Sequence, residues 1–156
     1  MTPARLVSIN TSNGGVPKLP IAAVTVHIAP SGVAGDRQRD LRYHGGPLRA
    51  VCLYSAELIA TLRAEGHSPE PGSLGENLTV SGVDWARMTA GTRVRVGTVT
   101  LELTSPAAPC SKLTAYFTGG DFNRVSQKRH PGWSRMYARV LVEGSVQVGD
   151  PVEILA

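Results

Sequence analysis

Cys110 stands in the stretch "SPAAPCSKL", directly after Pro109 and two residues before Lys112. If a helix begins there, its unpaired N–H groups and its dipole favour the thiolate, and Lys112 adds to the effect. A thiolate is what a soft metal or a transferable sulfur atom requires. The alternative for a free cysteine is a small buried hydrophobe, since the type is among the most buried. A second cluster, "GDRQRDLRYHGG", sets the imidazole of His44 beside Gly45 and Gly46. Paired glycines allow positive φ and close backbone approach, as an anion-cradling turn needs; the alternative is a solvated loop. A third, "PGSLGENLT", places Glu76 and Asn77 between a glycine-rich turn and a strand. There the two side chains can bond backbone amides in a structural role or hydrogen-bond a heterocycle.

Other chemistries lack their residues. The chain has no GxxxxGK[ST], GxGxxG or GxSxG motif, and no cysteine or histidine pair at zinc-finger spacing. Asp36, Asp40 and His44 recur every four residues, which would align them on a helix, but Gly35, Gly45 and Gly46 argue against one.

The elements that must hold these groups read as mostly strands. β-Branched residues mark strands over Ala4–Asn10 and Ile21–Ile28. The long polar stretch "APSGVAGDRQRDLRYHGGP" fits no single element, and long structured loops of this kind are commonly functional. "RAVCLYS" is an apolar strand in which Cys52 reads as sheet filler. It runs into a helix that Ser55 can cap, with Leu58, Ile59 and Leu62 on one face and Gly66 as the stop. A short strand follows through Leu78 and Val80. In "TRVRVGTVTLELT", Val94 and Val96, then Val99, Leu101 and Leu103, alternate with polar residues around Gly97-Thr98, a two-residue hairpin pattern. Pro106 and Pro109 are expected to end the second strand, having no N–H for a ladder. "CSKLTAYF" and "DFNRVSQKR" suggest short helices. The C-terminal strands break at Glu143-Gly144 and Gly149-Asp150, and "GWSRMYARVLVEGSVQVGD" reads as mainly structural. The expected class is mainly β, a barrel or sandwich with a few peripheral helices.

Composition agrees. At 156 residues the chain fits one domain, 1–156, and 17 glycines with 11 prolines imply many turns. The net charge of +4 is spread out, and no nucleic-acid-binding signature accompanies "QKRH", so nucleic acid is not the expected partner. No apolar run approaches the ~20 residues of a membrane span. "MTPARLVSIN" lacks the pattern of a secretory leader, and two cysteines in such a chain do not imply a disulfide. The expectation is a cytoplasmic protein.

Taken in order, these motifs resemble the MOSC family, the domain found at the C-terminus of molybdenum cofactor sulfurases and as stand-alone bacterial proteins. "GVAGDRQRDLRYHGGPLRAVCLYSAE" is similar to its GD…HGG…AV block, "PGSLGENLTVSG" to its GENLT segment, and "RVRVGTVTLELTSPAAPCSKL" to the stretch leading to its key cysteine. The likeness also takes in "YARVLVEGSVQVGD" and covers nearly the whole chain. It implies a β-barrel fold and binding of the molybdenum cofactor, a pterin dithiolene bearing a phosphate. By match of motif, Cys110 would ligate molybdenum or carry sulfur as a persulfide, and His44, Gly45, Gly46, Glu76 and Asn77 would line the site. The resemblance implies a molybdenum-dependent reductase of N-hydroxylated or N-oxygenated small molecules, served by an external electron donor. The alternatives are a carrier handing on sulfur received from a donor protein, or a small-ligand-binding barrel without catalysis. Pyridoxal phosphate, bound by some multidomain members, is not expected here. One departure stands out: Ala107 occupies the place of an arginine in the family's P-R-x-P-C pattern. Arg37, Arg39, Arg42, Arg49 or Lys112 would have to supply that anion contact.

Overall fold

The computed structural model describes residues 3–22, 25–36 and 46–155. Eleven strands are found among them. They are β1 (Arg5–Thr11), β2 (Leu19–Pro20), β3 (Val26–Ala29), β4 (Gly32–Val33), β5 (Val51–Ser55) and β6 (Leu78–Ser81), then β7 (Arg93–Val96), β8 (Val99–Ala107), β9 (Arg135–Val142), β10 (Gly144–Val146) and β11 (Val152–Ile154). Eight form one sheet in the order β11-β7-β8-β9-β5-β6-β1-β2, and β10-β3-β4 form a second. The protein is thus mainly β.

Strand β5 is buried throughout, as its apolar run requires of a strand deep in a sheet. It pairs antiparallel with β9 and parallel with β6. Parallel neighbours need a crossover, and helix α1 (Ala56–Ala64) lies in it. The Ser55 hydroxyl accepts from the Leu58 amide and starts the helix, while Ile59 and Leu62 are buried. The hairpin forms as its alternation demands. Val96 pairs with Val99 around Gly97, whose φ is 57°, and Val94, Val96, Val99, Leu101 and Leu103 enter the core. A glycine at the first central position matches the right-handed twist of the flanking strands.

The ladder as paired does not close on itself. Its far sides meet where β1 lies beside residues 149–152. There the Leu6 amide donates to Asp150 O, Gly149 N to Leu6 O and Val152 N to Ala4 O, with one bridge between Arg5 and Pro151. The expected barrel therefore stands as a large sheet joined at that seam by isolated bonds and not by a strand pair.

Two local expectations change, and a third takes a more definite form. The strand expected over Ile21–Ile28 is confined to Val26–Ala29 among the described residues; the Ile21 amide instead donates to Ile9 O and continues the β1–β2 edge. Strand β8 continues through Pro106 to Ala107, with Pro106 opposite Met136 and Ala107 opposite Arg135. Beyond Glu102 no β7 residue pairs with β8, so β8 has become an edge there, and an edge tolerates a missing N–H. The short helices expected after Cys110 and Asp121 form as 3-10 helices, Ser111–Tyr116 and Phe122–Val125. Cys110 is the N-cap residue of the first, which removes the α-helix dipole from the argument for its thiolate.

The pairing of Ala107 with Arg135 generates a prediction. Directly opposed residues share a sheet face, and Ala107 is fully buried. Ala107→Arg forces a second guanidinium onto that face. Overpacking alone costs about 1–3 kcal/mol, so the thermal midpoint should fall by several degrees. An unchanged midpoint in a melting experiment would show that the face has room.

Candidate functional site

The turns that carry two of the sequence motifs, GENLT and Pro109-Cys110, converge on one cleft of about 80 Å³. Gly15, Val16 and Lys18 line it from the turn after β1, and Arg49 from the 3-10 turn Pro47–Arg49. Cys52 and Tyr137, register partners across β5 and β9, form part of its wall. Gly75 and Asn77 enter ahead of β6, while Ala108, Cys110, Lys112 and Leu113 follow β8. Arg135, the first residue of β9, completes the lining.

Asn77 is buried and fully engaged. Its Oδ1 accepts from the Cys52 amide at 3.0 Å, and its Nδ2 donates to Asn10 O at 3.3 Å and to Asp36 Oδ2 at 2.8 Å. Its backbone bonds Cys52 O and the Asn10 amide. Asp36 is held in turn by the Lys18 ammonium at 2.7 Å and by the Ser12 amide at 2.9 Å. The ion pair is almost wholly out of water, with the two side chains 9% and 4% exposed. At Asp36 it ties the polar stretch that the sequence marks as functional to Ser12 and Lys18, beyond β1.

Glu76 lies behind this wall. Its Oε2 accepts from Thr79 Oγ1, and its Oε1 has no well-formed hydrogen bond. Burial pushes its carboxyl above the usual range, against the opposing influence of the Gly72 and Glu76 amides, the Thr79 hydroxyl and the Arg135 charge.

Arg135 ties two motif loops together. Its Nη1 donates to Leu74 O at 2.6 Å, and its Nη2 to Ala107 O at 3.2 Å and Ala108 O at 3.3 Å. Those carbonyls immediately precede Gly75 on one side and Pro109-Cys110 on the other. The Arg135 Nε is buried without a partner. Arg49 lies over the Tyr137 ring, 5.3 Å from its centre. Burial and the neighbouring Cys52 push the Tyr137 phenol up to about 12, so it stays protonated. The Cys52 thiol is raised to about 11, chiefly by burial, whereas Cys110 is partly exposed.

Of the residues selected from sequence, the structure brings Cys110, Asn77, Arg49 and Lys112 to the cleft. Glu76 is buried behind it, and Gly46 caps the Pro47–Arg49 turn with φ 88° outside the lining. His44 and Gly45 lie outside the described residues, as do Arg37, Arg39 and Arg42. Sequence reasoning missed Lys18, Tyr137 and Arg135, and treated Cys52 as filler although it reaches the wall. The signal for Arg135 was a charged residue heading a run, "RMYARVLV", whose alternation puts Arg135 and Tyr137 on one face.

The MOSC domain model matches residues 40–153, and the chain belongs to that family. The Bacillus subtilis (strain 168) protein YflK is 34% identical over 143 residues, covering 91% of this chain and 63% of YflK. A protein named "Reductase" from Gibberella moniliformis is 32% identical over 137 residues, 83% of this chain but 24% of that protein. The chain thus spans less than two thirds of either relative. Among solved structures, YiiM from Geobacillus stearothermophilus superposes with a TM-score of 0.76 at 26% identity, covering 99% of this chain and 76% of that one.

Two predictions follow from the site's electrostatics. At pH 8 a thiol of pKa about 11 is thiolate in about one molecule per thousand, and Cys52 is also shielded from reagent. Ellman's reagent should therefore titrate one thiol per native chain, Cys110, and the second only in guanidinium. Comparable rates for both would contradict the burial of Cys52. For Glu76, a raised folded pKa means that the native state keeps a proton the unfolded chain releases. Its contribution is complete below the ordinary carboxylate value and is lost as pH rises toward the raised one. Urea midpoints from pH 4 to 8 should fall for the wild type relative to Glu76→Gln. Parallel curves would show that Glu76 ionises freely.

Proposed function

We propose that this cleft binds the molybdenum cofactor with Cys110 as the protein ligand to the metal. On this reading the chain is a reductase of N-hydroxylated or N-oxygenated compounds, drawing electrons from an external donor protein. The observation that carries it is a partly exposed thiol opening on a cleft whose other ionic lining residues, among those described, are cations: Arg49, Lys112 and Arg135, with Lys18 paired to Asp36. The residues fit the group in three ways. Cys110 offers a soft sulfur donor suited to a metal with sulfur ligands. The cations suit an anionic pterin phosphate. Gly75 keeps the wall open, since a Cβ there would stand 2.9 Å from Val16 Cγ1 at a φ of 91°.

The chemistry the cofactor supplies when bound is two-electron removal of oxygen from an N–O bond. The chain's own residues bind and orient. Arg49 and Lys112 attract and place anionic groups at the cleft. Arg135 fixes the carbonyls ahead of Cys110, and with them the direction from which the thiol approaches. Cys52, kept protonated by burial, does not compete as a ligand. Tyr137 offers a protonated phenol beside Arg49. The same reading takes the large sheet as a barrel whose seam is the β1 contact with residues 149–152.

Elemental analysis of protein purified from a cofactor-competent host tests this. About one molybdenum per chain, absent from Cys110→Ser protein of unchanged circular dichroism, is the expected result. Labile sulfane sulfur without metal would replace the reading with a persulfide carrier. Neither metal nor sulfur, with cofactor supplied, would overturn both.

A further inference from the structure

Arg135 is a buried cation without an anion. It is 7% exposed, and its three hydrogen bonds end on the neutral carbonyls of Leu74, Ala107 and Ala108. Among the described residues no carboxylate pairs with it. Asp36 is taken by Lys18, Ser12 and Asn77, and burial drives Glu76 toward its neutral form. Charged groups removed from water are ordinarily compensated, because an unpaired charge in a low-dielectric interior is costly.

The guanidinium also has donors to spare. Of its five N–H groups three are used; the Nε–H is buried without a partner and one Nη1 hydrogen remains. The location is informative too. Arg135 lines the cleft with Cys110, its Nη1 lies 3.8 Å from where a Gly75 Cβ would stand, and it donates to Ala108, two residues before Cys110. The residue opposite in the ladder, Ala107, has only a methyl group and leaves this face to the guanidinium.

We propose that the missing counter-ion is the ligand: Arg135 is the anion-binding residue of the cleft, taking an oxyanion group, phosphate or carboxylate, beside Cys110. Arg49 and Lys112 add charge elsewhere in the lining, and the planar fork of Arg135 sets orientation. The inference rests on reading the cleft as a ligand site and deepens it by naming the charge class of what enters. The oxyanion is either the cofactor's phosphate or an acid group on the substrate.

The test titrates cofactor-free protein with inorganic phosphate, and separately with acetate, by calorimetry and by NMR of arginine Nε–H signals assigned from the backbone. Saturable binding of at least one probe that moves the Arg135 Nε signal is expected. Arg135→Lys should weaken it at least tenfold, while Arg139→Lys, on the exposed part of β9, should not. The wild-type NMR shift decides the matter even if Arg135 variants misfold. Binding of neither probe, or equal binding by Arg135→Lys, overturns the proposal. Phosphate excluded from molybdenum-loaded protein points to the cofactor as the source; acetate still bound there points to the substrate. Protein that takes no molybdenum yet binds phosphate through Arg135 defeats the proposed function and leaves this inference standing.

Discussion

The side chain of Asn77 is the joint on which the site depends. Three segments must meet where β6 begins: the end of β1, the start of β5, and the polar stretch at Asp36. Regular pairing cannot serve all three at one point, because a strand has only two edges. The amide of Asn77 supplies the extra bonds, donating to Asn10 and Asp36 while accepting from Cys52. A buried amide left unsatisfied costs about 1–3 kcal/mol per group, so the arrangement is stable only when all partners are present together. That mutual requirement makes the back wall of the cleft rigid.

Arg135 performs the corresponding task on the other side, with a different balance of forces. Asn77 is neutral and its bonds are complete, whereas Arg135 brings a full charge into the interior and is satisfied only by carbonyl dipoles. Carbonyl oxygens stabilise a guanidinium without neutralising it. The wall therefore keeps a positive field where the loop bearing Cys110 passes over it. The Lys18–Asp36 pair differs again: its charges cancel at 2.7 Å, so it anchors a loop and adds little net field. One residue closes the wall, one ion pair holds the polar stretch at Asp36, and Arg135 adds a buried positive charge to those of Arg49 and Lys112.

How much of this was legible in the sequence depended on whether the cause was local. Alternation around Gly97-Thr98 and the face of Ile59 and Leu62 are periodicities that side-chain burial enforces within a few residues, and both elements form where expected. Cys110, Asn77, Arg49 and Lys112 were visible because unusual residue types stood beside turn signals or matched a family pattern. The extension of β8 through Pro106 was not visible, since it depends on β7 ending early and leaving an edge. Likewise Cys52 and Tyr137 become cleft residues only through the β5–β9 register, which brings together positions 85 apart. Glu76 shows the converse: its motif marked it as important, but the turn geometry sends it into the core behind Asn77.

The exchange between Ala107 and Arg135 shows why position along the chain is a poor guide to what a site contains. Antiparallel pairing makes opposed residues neighbours on one face, so a guanidinium projecting from β9 reaches the region that one projecting from β8 would occupy. Both cannot be accommodated there, because Ala107 has no exposed surface and two like charges directly opposed repel. A sequence comparison restricted to the segment before the cysteine registers a loss at 107. In three dimensions the same face still carries a guanidinium, supplied from the neighbouring strand and bonded to the carbonyl of the residue it faces. On the proposed reading, what the cleft needs is a charge at a place, and the antiparallel pairing puts a residue of either strand on that face.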